Sequence, residues 1–228
     1  MKLAMNTWGW NAFPAWLPVY TIEETISRIS AIGYDGIEIG AASPHLWPKY
    51  TSKERRKQLA KLMKDSNLEV SSICPAIGGG PGLNPASPLD IERKESVNYY
   101  RECIELAADI GGKIVIYVGG CQVFGTPYDQ AWKWSSEALK ACVKDAEKLG
   151  VTLVIEPTSA DSNIINSADD ATKMMKEANS KNVKLMFDTY HCLTKTADSG
   201  TPIDYIKKMG KERIIVAATK NKIQGIEG

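Results

Sequence analysis

The chain has 228 residues, 43% of them hydrophobic and 24% charged, an ordinary globular balance in a chain long enough for one domain with a sizeable core. Its 28 Lys and Arg against 27 Asp and Glu leave a net charge of +1, which gives no electrostatic reason to expect nucleic acid or an anionic membrane as partner. The apolar runs are too short to span a bilayer, the start MKLAMNTWGW lacks a signal-peptide stretch, and five cysteines without Cys-x-x-Cys spacing suit a reduced, cytoplasmic protein better than a disulfide framework.

Lys2 to Thr7 reads as a first short strand, running into the aromatic-rich loop WGWNAFPAWLPVY. Thr21-Ile-Glu-Glu24 is a capping box and predicts a helix to about Ala31. Gly33 to Gly36 turns the chain into a second strand, Ile37 to Ile39. Thr51-Ser-Lys-Glu54 is read as a second capping box. The helix it opens carries Leu59, Leu62 and Met63 on one face and the basic run KERRKQ on the other, taken as a solvated outer face.

Asn67 precedes a third strand, Leu68 to Cys74. The glycine loop at 78–82 does not open a helix and lacks GK[ST], so it fails as a phosphate-binding fingerprint. Ser87-Pro88 predicts a long helix with Pro at its first position, ending near Ile110. Lys113 to Val118 is a fourth strand. A helix from Tyr128 to Leu149 ends at Gly150.

The stretch from Val151 to His191 is the centre of the chain. VTLVIEP and VKLMFDTYH are two unalternating apolar runs, each ending in one acid, Glu156 and Asp188. Such runs read as strands buried on both faces. The segment from Ser167 to Asn179 between them has helical residue types, so the three pieces form a βαβ unit with parallel strands. Parallel strands finish at one rim, where ligands bind in α/β sheets and barrels. Asp188 could instead cap a turn through Thr-Tyr-His. Two acids at equivalent strand ends, with His191 three residues beyond, offer carboxylate oxygens and an imidazole to a divalent metal.

Pro202 to Met209 is a shorter helix stopped by Gly210, and Ile214 to Ala218 is a seventh strand. The repeated unit predicts a (β/α)8 TIM barrel, apparently incomplete, with about seven strands and no last βα unit, in a single domain over 1–228. The chain is shorter than the ~250 residues usual for that fold. His45, between Pro44 and Pro48, is read as loop packing. Glu38 is expected to point into the barrel, and Trp132 and Trp134 to pack within their helix. The open seam leaves strand edges exposed, which suggests a homo-oligomer.

GYDGIEIGAASPH at 33–45, VIEPTSAD at 154–161 and VKLMFDTYH at 183–191 resemble the sugar isomerase/epimerase group of xylose isomerase-like TIM barrels, whose best-known members are ketose 3-epimerases. The resemblance implies a small-molecule sugar substrate and a divalent metal, Mn2+ foremost, with Co2+ or Mg2+ also used. It implies proton abstraction next to a carbonyl through an enediolate. Carried over by motif, Glu156 is a metal ligand and catalytic carboxylate, Asp188 a metal ligand, His191 a substrate contact, and Trp8 the aromatic against the sugar.

The chain also departs from that group. Val216 and Ala218 stand where a strand-seven histidine is expected, no eighth strand carries a second glutamate, and Glu227 follows strand seven too soon to replace it. Ser162 stands where some epimerases carry a further Glu. An inactive truncated barrel is therefore one alternative. An endonuclease IV-like DNA-repair enzyme is another, disfavoured because only His45 and His191 are present and the charge is nearly neutral.

Overall fold

A computed structural model describes residues 2–10, 19–77, 83–158, 162–194, 201–210 and 214–218. Seven strands make one parallel sheet in chain order. They are β1 (Ala4–Asn6), β2 (Gly36–Gly40), β3 (Glu69–Cys74), β4 (Ile114–Tyr117), β5 (Thr152–Ile155), β6 (Val183–Asp188) and β7 (Ile214–Ala218). Among the described residues seven α-helices accompany them: α1 (Ile22–Ile32), α2 (Lys53–Asp65), α3 (Asp90–Asp109), α4 (Tyr128–Leu149), α5 (Ala168–Ala178), α6 (Thr189–Thr194) and α7 (Pro202–Met209). This is the expected TIM-barrel architecture, incomplete among the described residues, with β1 and β7 at the two edges. The glycine loop at 78–82 and Glu227 lie outside the described residues.

Alternation along the strands decides which side chains enter the barrel. Tyr117 donates its hydroxyl to the Ser135 carbonyl on α4, at 2.6 Å, so Tyr117 faces the helices and Ile116 faces inward. The register carries that inner face from Ile116 to Val154 on β5 and Lys184 on β6. Glu156 lies two residues past Val154, and Asp188 four past Lys184, so both are on the inside. On the outer face Ile37, Ile39, Ile26, Ile29, Leu59, Tyr100 and Ile104 are fully buried between sheet and helices. Each such side chain stabilises the fold by about 1.5–3 kcal/mol.

Three local expectations are corrected. Thr51 does not cap α2. It ends the preceding 3-10 turn (Pro48–Tyr50), and its hydroxyl donates to the Trp47 carbonyl at 2.7 Å, so Ser52 caps instead, accepting from the Arg55 amide at 3.2 Å. Pro88 is not the first residue of α3. The Ser87 hydroxyl accepts from the Leu89 amide at 3.1 Å and the Ser87 carbonyl accepts from Arg93 at 2.7 Å, which delays the helix to Asp90. Arg56, placed on a solvated face, is buried and binds Asp109, the Pro48 carbonyl and the Thr51 carbonyl at 2.7, 2.8 and 3.0 Å.

Candidate metal centre

β5 and β6 are hydrogen-bonded neighbours, with Ile155 level with Leu185. The Glu156 amide donates to the Tyr117 carbonyl at 3.1 Å, which keeps that residue in line with its strand. Pro157 follows and disfavours a helical conformation at Glu156, so the carboxylate leaves from a strand end.

β6 runs straight into α6. Asp188 Oδ1 accepts the amides of Tyr190 at 2.6 Å and His191 at 3.4 Å, so the turn reading of the sequence holds. Its other carboxylate oxygen remains available to a ligand. Capping puts His191 in the first turn of α6, close to the acid that caps it.

Glu156, Asp188 and His191 each offer one ligand atom, and the three atoms lie within 4.8 Å of one another. All three residues are buried. Donors that share one first-row divalent ion at ~2.1 Å stand up to about 4.2 Å apart, so the trio is near ligating spacing. Two buried carboxylates this close repel unless a cation or a proton intervenes. Oxygen and imidazole donors suit manganese, cobalt, zinc or magnesium better than a soft, thiolate-seeking metal. Thr158, two residues past Glu156, is also buried, and its hydroxyl has no hydrogen-bond partner among the described residues.

Trp8 lies apart from the trio, on the β1 side of the rim, in a 3-10 turn (Thr7–Trp10). A side-chain carbon on Gly40 would stand 2.7 Å from Trp8 Cε2, so the indole lies against the bare backbone of β2. Ala218 is level with Asp188 across the β6–β7 pair. His45 is buried, with Nε2 3.3 Å from the Tyr20 carbonyl. Burial holds its imidazole below the ordinary value, and the Tyr20 carbonyl opposes this. Trp132 packs as expected and donates to Glu177 at 3.2 Å.

The sequence reading did not anticipate the lacing of the rim loops. Asn84, after β3, clamps Cys121, after β4. Its Nδ2 donates to the Cys121 carbonyl at 2.7 Å, and its Oδ1 accepts the Cys121 amide at 3.0 Å. Asn163 accepts the Gln122 amide at 2.6 Å, and the Ser162 hydroxyl donates to the Gly120 carbonyl at 2.5 Å. These bonds tie the loops after β3, β4 and β5 into one wall beside Glu156. The glycine pair at 119–120 was the available signal. Gly120 has φ +81°, and a side-chain carbon there would fall 2.3 Å from Asn84 Oδ1.

Against known proteins, the family described as xylose isomerase-like TIM barrel matches residues 26–224. Fructoselysine 3-epimerase of Shigella flexneri is 27% identical over 171 residues, which are 75% of this chain and 59% of that protein. L-ribulose 3-epimerase of Mesorhizobium japonicum is 27% identical over 207 residues, covering 89% and 65%. The chain therefore spans about three fifths of the length of these curated relatives. The crystal structure of D-psicose 3-epimerase with D-tagatose from Clostridium cellulolyticum H10 superposes with a TM-score of 0.80 at 19% identity, covering 100% of this chain and 76% of that one. At that identity the likeness speaks for the fold. No helix among the described residues is long and apolar enough to cross a membrane.

Proposed function

The chain belongs to the xylose isomerase-like TIM barrel family, and from that premise we propose that it is a metal-dependent sugar isomerase or epimerase of the ketose 3-epimerase type. The observation that carries the reading is the convergence of Glu156, Asp188 and His191 within 4.8 Å at the carboxyl ends of β5 and β6.

Glu156 and Asp188 would hold a divalent ion, Mn2+ foremost with Co2+ or Mg2+ as alternatives, and His191 stands close enough to be a third ligand or to contact a sugar oxygen. Such an ion supplies stabilisation of the negative charge that develops when a proton leaves the carbon next to a carbonyl. Glu156 is the carboxylate that takes this proton, leaving the sugar as an enediolate. Its burial keeps bulk water from competing, and its strand-end backbone fixes its direction. His191 donates to or accepts from a sugar oxygen. Trp8 presents an aromatic face to the sugar from the β1 side. The reaction takes place in the cytoplasm, and a homo-oligomer is the proposed assembly, with β1 and β7 the outermost strands among the described residues.

The test is direct. The purified chain is dialysed against chelator, reloaded with Mn2+, Co2+ or Mg2+, and assayed for interconversion of D-psicose with D-fructose and for turnover of L-ribulose. Metal content is measured beside activity. Ala218 at the level of Asp188 favours a second reading, in which the centre holds metal and ketose with three protein ligands and does not turn over. Ketose binding without epimerisation selects it. Retention of an abasic duplex, read by fluorescence anisotropy across salt, is expected to be negative.

A further inference from the structure

Below the rim, at the β1–β3 end of the sheet, three polar side chains share one level. Asn6 on β1 is level with Glu38 on β2, and Glu38 is level with Ser72 on β3. Asn6 Nδ2 donates to Glu38 Oε1 in a short hydrogen bond, and the Ser72 hydroxyl donates to Glu38 Oε2 at 2.5 Å. The Trp8 backbone amide donates to Asn6 Oδ1 at 2.7 Å. We infer that Glu38, acting through Asn6, is a positioning residue that fixes Trp8 at the rim.

The argument is one of donors and acceptors. A carboxylate only accepts, so Asn6 must turn its NH2 end to Glu38. A backbone amide only donates, so Asn6 must turn its oxygen to Trp8. The two demands agree on one orientation of the Asn6 side chain. Ser72 takes the second carboxylate oxygen and holds Glu38 against rotation. The charge-assisted bonds to Glu38 are the strong members of the set. Two further contacts complete the seat. Thr7 Oγ1 accepts the Gly40 amide at 2.8 Å, and Gly40 has no side chain to keep the indole away. Trp8 is thus held by its backbone from below and by the bare strand from the side.

The positioning itself stands independently of the proposed ketose reaction; only the step from an ordered Trp8 to a sugar-facing wall rests on it. The protein labelled with 5-fluorotryptophan gives six 19F resonances, and Trp8→Phe assigns that of Trp8. Asn6→Asp sets acceptor against acceptor, and Glu38→Leu removes the acceptor. Both are expected to shift the Trp8 resonance while those of Trp132 and Trp134 stay in place. Glu38→Gln can turn its carbonyl to Asn6 and its amide to Ser72, and is expected to restore the parent position. An unshifted Trp8 resonance in Asn6→Asp and Glu38→Leu overturns the relay. Should Glu38→Leu not fold, Asn6→Asp, which is isosteric, decides alone. D-psicose added to the metal-loaded parent separates the two readings. Trp8 moving in the variants but not with the sugar keeps the relay and removes Trp8 from the sugar site.

Discussion

Asp188 stands two residues further along its strand than the position level with Glu156, yet the two carboxylates meet within 4.8 Å with His191 beside them. The offset is closed by the way β6 ends. Asp188 caps α6 with one carboxylate oxygen and leaves the other for a cation, so it serves the backbone and the site together.

That double use separates two substitutions. Asp188→Asn keeps an oxygen for the Tyr190 and His191 amides and removes one of two repelling buried charges. Without metal, its melting temperature is expected to equal or exceed that of the parent. Asp188→Ala loses the cap as well and is expected to cost about 1–2 kcal/mol. Added Mn2+ should raise the melting temperature of the parent and of neither variant, because binding to the folded state alone stabilises it. Calorimetric scans with and without metal measure all three. A parent that melts at the same temperature in both removes the metal centre.

Thr158 tests the opposite side of the same balance. Its hydroxyl is buried without a hydrogen-bond partner among the described residues, which is destabilising by about 1–3 kcal/mol unless a ligand uses it. Thr158→Val keeps the shape and deletes the orphan. The variant is expected to resist urea better than the parent and to bind D-psicose more weakly. Equal stability, or equal affinity, would show the hydroxyl to be satisfied or idle.

Much of this architecture was legible in the sequence because its punctuation is local. The bounds of α4, α7 and β7 match those expected, since Gly150, Pro202 and Gly210 mark stops and starts within a few residues of the elements they bound. Glu156 and Asp188 were legible because each closes an apolar run. Arg56 was misread, although 56, 59 and 63 share one helical stripe, because a basic run suggests solvent. The Asn84–Cys121 clamp and the Asn6–Glu38–Ser72 level join residues about 30 or more apart in the chain. No periodicity or cap within one segment announces such bonds; only the parallel register brings them together.

Arg56 yields a stability prediction of its own. Its guanidinium satisfies one carboxylate and two carbonyls across the Pro48 turn and α3. Arg56→Ala leaves those acceptors without their donor; Asp109 is itself exposed, so the loss comes chiefly from the charged bonds to the two carbonyls, typically about 1.5–3 kcal/mol. Arg56→Lys supplies the charge but not the planar fork and should recover less than half of the loss. Urea midpoints of the three proteins give the comparison. Full recovery by lysine would mean that charge alone mattered.

The rim clamp should govern the site at a distance from its ligands. Gly120→Ala forces a side chain into a φ of +81° and against Asn84 Oδ1, and Asn84→Ala removes both bonds to Cys121. Asn84→Ala also frees the Ala86 amide, which donates to Oδ1 at 3.0 Å, and is expected to cost about 3 kcal/mol at about 1 kcal/mol per lost bond; Gly120→Ala is expected to be destabilising as well. Each should also speed hydrogen exchange at the Cys121 and Gln122 amides. Exchange at Val154 and Leu153, within β5, should stay slow if the clamp acts on the loops alone.

His45 gives the pH dependence. Its imidazole is held below the ordinary value of 6.5, chiefly by burial, against an opposing effect of the Tyr20 carbonyl. The folded protein therefore disfavours the protonated ring, while the unfolded chain takes up its proton near the ordinary value. Stability from this group is fully present above that value and is lost as pH falls below it toward the folded-state value. His45→Asn has no such proton to exclude. The parent is expected to lose urea resistance between about pH 7.5 and pH 5.5 more steeply than His45→Asn, an interval that spans the ordinary histidine value. His191 is present in both proteins, so the difference between their two slopes isolates His45. Parallel slopes would mean that the buried ring finds a partner for its charged form in the folded protein.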